Sequence, residues 1–198
     1  MIQLIAQPWW VNLLILVPPV AYFSWRSNRV PLTSLQLTST GVFAAAFGFV
    51  EAVVVVYLRA ASGLLPGYQG TVADTMHLSE RFYWQPQTVA QLPQGLLTLE
   101  VFREGATLLM LLSVAVLSSS SVKVRAAVFL WAFAIWDIVY YAGLWATIRW
   151  PLSLEDLDVL FLIPVPWFSP VWFPLLVSGL AIGAVLLTRD NTARLHRS

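Results

Sequence analysis

The stretch AAVFLWAFAIWDIVYYAGLWATI, residues 126–148, decides how the rest of the chain is read. It is 23 residues long and carries one formal charge, Asp137. About 20 apolar residues cross a bilayer as a helix, so the stretch predicts a transmembrane helix with a carboxylate near mid-membrane. An ionised side chain at that depth costs at least ~2.5–3.5 kcal/mol, and intramembrane acids mark functional sites by default. Tyr140 and Tyr141 follow at i+3 and i+4, which puts both beside Asp137 on one helical face.

The whole chain has the same character. Of its 198 residues, 59% are hydrophobic and 11% charged, against about 25% charged in a soluble domain. Its mean hydropathy is +0.75. This is the composition of an integral membrane protein. A net charge of +1 carries no information on nucleic acid, but the chain has no basic run to bind phosphates, so no nucleic-acid partner is expected. Cys is absent, which removes disulfides, thiolate metal ligands and a Cys nucleophile. Several of the 10 tryptophans flank apolar runs, as expected of residues that anchor at the membrane–water interface. The segment before Trp9 has no Lys or Arg, and no small-residue cleavage site follows the first apolar run. The first helix is therefore expected to stay in the mature protein, not to act as a signal peptide.

Working outward, apolar runs predict an all-α bundle of five transmembrane helices in a single domain. They lie at about 9–25, 40–60, 98–118, 126–148 and 170–188. Pro18-Pro19 in the first removes backbone donors and predicts a kink or a break there. Lys and Arg concentrate in cytoplasmic connections. Arg26, Arg29, Lys123, Arg125, Arg189, Arg194 and Arg197 all fall on one side of a five-span chain. The other side has Arg59, Arg81 and Arg149 with the acids Asp74, Glu80, Glu155, Asp156 and Asp158. The N-terminus is then expected outside and the C-terminus in the cytoplasm, in a plasma (inner) membrane.

Two outer connections, 61–97 and 149–169, are long or unusual. The first contains DTMHLSERFYWQP, which reads as a short helix lying on the outer surface and ending near Pro86. In the second, Ser153 followed by Glu155 and Asp156 reads as a helix start, with acids at the positive helix end. Pro164 and Pro166 would stop that helix, which is too short to span and is expected to lie at the interface or re-enter it. Glu155, Asp156 and Asp158 read as its wet face. No internal repeat is evident, unlike many transporters.

Depth counting at 1.5 Å per residue locates a polar layer. Glu51 lies roughly 13 Å below the outer end of the second helix, and Asp137 roughly 16 Å below that of the fourth. Glu104 lies roughly 9 Å below the outer start of the third helix, with Arg103 beside it and Glu100 a turn above. The cytoplasmic half of every helix lacks charge. Gly41, Ala45, Gly48 and Ala52 form a small-residue stripe that lets helices approach, and Glu51 lies beside it. Glu100, Arg103, Glu104 and Thr107 share a face of the third helix.

Three deep carboxylates facing one deep Arg cannot all stay ionised cheaply in hydrocarbon. Some are protonated, or a cation joins them, or water enters from outside. The expected function is a site lined by Glu51, Glu100, Arg103, Glu104, Asp137, Tyr140 and Tyr141, with His77 reaching in from the outer loop. Its ligand is a cation or an amphiphile such as a lipid or quinone. In a catalytic version Asp137 or Glu104 is the general base, Tyr141 the proton donor and Arg103 the anchor. In a metal version Glu51, Glu104 and Asp137 hold a divalent cation. The rival from another class is a structural subunit of a larger assembly or homo-oligomer, in which the cluster is interhelical glue. A proton- or cation-coupled transporter is third. Haem is not expected, since no helix carries a His pair, and the chain has no Walker-type loop, HExxH, GxSxG or EF-hand pattern.

The charge asymmetry predicts an outcome for reporter fusions. Fusions after Arg29, after Lys123 and at Ser198 should report cytoplasm, and one within residues 67–74 should report the outside. A cytoplasmic signal from that loop would overturn the topology and move the polar layer to the inner leaflet.

Overall fold

The computed structural model describes residues 5–61 and 94–190. The expected surface helix around His77, the basic residues Arg194 and Arg197 and the side chain of Arg59 lie outside the described residues.

The first apolar segment is a 3-10 helix, Trp9–Leu16, that passes into α1, Val17–Trp25. The change of geometry falls where Pro18 and Pro19 occupy the first positions of α1. Proline lacks a backbone N–H, and the start of an α-helix is where that donor is not needed. α2 follows at Ser34–Ala61, α3 at Gln94–Ser118, α4 at Val122–Ile148 and α5 at Trp172–Thr188. α2 starts earlier than its apolar run because Thr33 and Gln36 cap each other. The Gln36 amide donates to Thr33 Oγ1 at 3.1 Å and the Thr33 amide to Gln36 Oε1 at 2.9 Å, a reciprocal capping box. α4 ends at Arg149, whose left-handed backbone (φ 55°) lets its amide reach back to Trp145 at 3.0 Å.

Three segments are long and apolar enough to cross a membrane: Ser34–Leu58, Leu97–Ser118 and Val122–Ile148. Trp9–Trp25 and Trp172–Thr188 are shorter apolar helices. α4 is the hub. It packs against α2 most extensively, then α5 and α3, while α1 packs on α5. The α2–α4 contact is close because small residues line it. A Cβ built on Gly48 would collide with the Trp136 backbone carbonyl, and one on Gly143 would come within 2.9 Å of the Ala52 Cβ.

The expected helix beginning at Ser153 does not form, and the fold is not purely helical. Residues 157–170 make a two-stranded antiparallel sheet, β1 (Leu157–Phe161) and β2 (Trp167–Pro170). Two causes oppose the helix. The Asp156 carboxylate accepts the amides of Leu152 (2.8 Å) and Ser153 (3.1 Å), which precede it, and so closes a turn where a helix start would cap later amides. LDVLF and WFSP, rich in aromatic and branched residues, then find each other across the proline-containing link. A bulge between Val159 and Phe161 lets Asp158 and Phe161 both turn inward. Gln7 extends this sheet, exchanging two backbone hydrogen bonds with Phe168 at 2.8 and 2.7 Å. Asp158 is consequently buried, which corrects its reading as part of a wet helix face; Glu155 is exposed, as that reading had it.

At the opposite end the chain gathers its basic residues. Val30 bonds to Thr188, Lys123 Nζ donates to the Asn28 carbonyl and Arg189 donates to Leu32 O and Ser34 Oγ at 2.8 Å each.

The helix contact predicts a contrast between glycines. Gly48→Ala should push α2 from α4 and cost about 1–3 kcal/mol, read as a lower melting temperature in detergent. Gly183→Ala, whose added Cβ meets nothing within 4 Å, should leave it unchanged or raise it. Equal melting of the two variants would refute the close contact.

Candidate functional site

The i, i+3, i+4, i+7 face of α3 points into the bundle, and its polar residues reach α2 on one side and the hairpin on the other. Arg103 donates Nε and Nη2 to Glu100 Oε2 at 2.9 and 2.6 Å. Its Nη1 forms an ion pair with Glu51 Oε1 on α2. The other oxygen of Glu51 accepts from Thr107 Oγ1 at 3.1 Å. One guanidinium therefore joins carboxylates from two helices, at a place where α2 and α3 otherwise touch little.

Glu104 turns elsewhere. Its Oε2 accepts the amide of Leu162 at 2.6 Å and so fixes the end of β1 against α3. Asp137 accepts from Ser178 Oγ on α5 at 2.8 Å. Tyr141 donates its hydroxyl to Asp158 Oδ2 at 2.6 Å, and Asp158 Oδ1 accepts its own strand's Val159 amide at 2.8 Å. Glu51, Glu100, Glu104, Asp137 and Tyr141 are all buried, and Asp158 is 1 % exposed. Tyr140 stacks on Trp136 at 6.0 Å and meets Tyr141 edge-on at 5.2 Å.

These groups surround a cavity of about 360 Å³. Glu51, Arg103, Glu104, Asp137, Tyr140 and Tyr141 line it, joined by Asp158 and Ser178. The rest of its wall is apolar, with Leu14, Val17 and Pro18 from the first segment, Phe129, Leu130 and Phe133 from α4, and Phe173, Val177 and Ala181 from α5. The β1–β2 hairpin supplies a further side through Leu160, Phe161, Ile163 and Trp167. Glu100 is behind Arg103 and does not line the cavity. His77 lies outside the described residues.

Of the sequence-derived set, the structure joins Glu51, Glu100 and Arg103 in one network and leaves Glu104, Asp137 and Tyr141 on separate partners around the same space. Among the described residues no three acid or imidazole side chains converge as metal ligands. Glu51, Glu104 and Asp137 share a cavity wall but not a coordination point. Two residues escaped sequence reasoning. Ser178 carried a usable signal, because it is a hydroxyl within an apolar helix, about 9 Å from the helix start, and such groups bond across helices. Asp158 carried one only under a strand reading, in which it stands as an inward acid within LDVLF.

The Tyr141–Asp158 contact predicts that Tyr141→Phe lowers stability by about 1–3 kcal/mol, because a buried acceptor loses its donor. Tyr57→Phe, at an exposed position, should be silent. The check is thermal unfolding of both variants in the same detergent, and indistinguishable curves would remove the phenol–carboxylate bond from the account.

Comparison with protein families, with curated proteins and with solved structures finds no match to this chain.

Proposed function

We propose that the chain is a small plasma-membrane (inner-membrane) protein with five spans that binds an amphiphile in the outer half of the bilayer. The observation that carries this reading is the make-up of the cavity, whose lining combines carboxylates, a guanidinium and phenols with aliphatic and aromatic side chains. A ligand with a polar head and a hydrocarbon body satisfies both kinds of lining at once.

The span count needs the two shorter helices. The eight residues of the 3-10 helix rise ~2.0 Å each and the nine of α1 ~1.5 Å each, together about 30 Å, the thickness of the hydrocarbon core. The 17 residues of α5 rise about 26 Å, and the extended chain on either side covers the difference. Exposed Leu35, Val42, Val50, Leu109, Leu112 and Leu117 suit contact with lipid tails, which makes membrane lipids the surrounding partners. The gathering of Arg29, Lys123 and Arg189 at one end supports a cytoplasmic C-terminus and an outer N-terminus.

Binding is favoured over catalysis because the hydroxyl of Tyr141, the candidate proton donor, is already engaged in a hydrogen bond to the Asp158 carboxylate. A scaffold reading is favoured by one observation, the internal closure of Glu100–Arg103–Glu51–Thr107. The two make different predictions. Arg103→Ala should cost about 3–5 kcal/mol under either, since it strands buried carboxylates. Val177→Phe, which fills the apolar part of the cavity, separates them. Native mass spectrometry of wild type extracted in mild detergent should detect a bound amphiphile that Val177→Phe lacks, with the variant melting at or above the wild-type temperature in lipid-free detergent. Equal amphiphile content in both proteins, or none in wild type, would leave the scaffold reading.

A further inference from the structure

The cavity wall carries four carboxylates, Glu51, Glu104, Asp137 and Asp158, and one guanidinium, Arg103. That guanidinium is already shared between Glu51 and Glu100. Among the described residues, Glu104 and Asp137 meet neutral donors, a backbone amide and a hydroxyl, and neither has an ion-pair partner. Asp158 lies within electrostatic range of both. Among the described residues the wall therefore carries more acidic groups than cationic ones, and an anionic head would have to compete with Glu51 and Glu100 for the one guanidinium.

A second observation points the same way by different chemistry. Phe133, Trp136, Tyr140, Phe161 and Trp167 line the same cavity and form one connected aromatic group. Trp136 stands at its centre, 5.4 Å from Phe133, 6.0 Å from Tyr140 and 6.3 Å from Phe161, and Phe161 is 5.3 Å from Trp167. Ring faces attract cations, and cages of such rings recognise organic ammonium groups. Trp136 is 5 % exposed.

We infer that the amphiphile's head is an organic cation, an alkylammonium seated between Glu104, Asp137 and the Trp136 aromatic group, with its hydrocarbon chain toward Val177 and Ala181. The inference rests on the amphiphile reading and adds the charge of the head. Carboxylates alone would suit a bare metal ion as well, but the aromatic faces and the apolar body of the cavity select an ammonium attached to hydrocarbon. Two sources share this chemistry, an aminolipid of the membrane and a free amphiphilic amine.

The test is thermal unfolding of the full chain in a non-ionic detergent doped with one of three probes of equal chain length: dodecyltrimethylammonium, dodecanol or dodecyl phosphate. The ammonium should raise the melting temperature with an apparent affinity at least about tenfold above that of dodecanol, and dodecyl phosphate should give no rise. Asp137→Asn and Glu104→Gln keep shape and acceptors while removing charge, and each should abolish the ammonium's shift. A phosphate or alcohol response equal to or above that of the ammonium overturns the cationic head and leaves the amphiphile reading standing, as does an ammonium shift retained by both variants. No response to any probe overturns both. If a variant fails to fold, the ranking of probes on wild type decides. A parallel arm doped with phosphatidylethanolamine or phosphatidylglycerol identifies the source. A rise with the former alone indicates an aminolipid, and a rise with free ammonium alone indicates a soluble amine.

Discussion

The guanidinium of Arg103 lies between a carboxylate on its own helix and one on α2, and most of the polar architecture follows from that commitment. In the bilayer setting proposed for this chain a charged group must be matched from within the protein, because no solvent will do it. Once Arg103 is taken by Glu51 and Glu100, the remaining acids have to find neutral donors. Glu104 takes a backbone amide from the hairpin, and Asp137 takes a hydroxyl from α5. Asp158 takes a phenol from α4. Two of these bonds tie the hairpin to α3 and α4 and the third ties α5 to α4, so the shortage of cations is also what draws these elements together.

The cavity is the geometric counterpart of that arrangement. α2 and α4 meet through Gly48, Gly143 and Ala52 with no room for another carbon atom. α4 also presents Phe129, Phe133, Trp136 and Tyr140 to a space bordered by α5, the first segment and the hairpin.

Much of this was legible from residue order alone, and the reason is the bilayer. A 23-residue apolar run leaves few choices, and counting 1.5 Å per residue brings Glu51, Arg103, Glu104 and Asp137 to a common level without knowledge of the packing. What could not be read was which acid meets Arg103. Glu100 at i−3 and Glu104 at i+1 sit beside it on the same helix, and the choice depends on where α2 brings Glu51. The hairpin was illegible for a related reason. Ser153, Glu155 and Asp156 suit the first turn of a helix and a lone turn equally well. The decision lies with partners far along the chain, with β2 and with Gln7, some 160 residues away from Phe168. Asp158 was missed with it.

The sequence distances within the polar bonds carry a consequence for biogenesis. Glu51 waits 56 residues for Thr107, Glu104 waits 58 for Leu162 and Asp137 waits 41 for Ser178. A chain made from its N-terminus delivers each acid well before the group that will hold it. During synthesis every one of these helices therefore presents an acid whose final donor has not yet been made, and the cost is relieved stepwise, last of all at Asp137 when α5 emerges. The order of translation is then a physical variable for this protein. For a chain inserted as proposed, a ribosome that paused between α4 and α5 would hold Asp137 without its Ser178 partner, and the insertion machinery would have to shelter it for that interval.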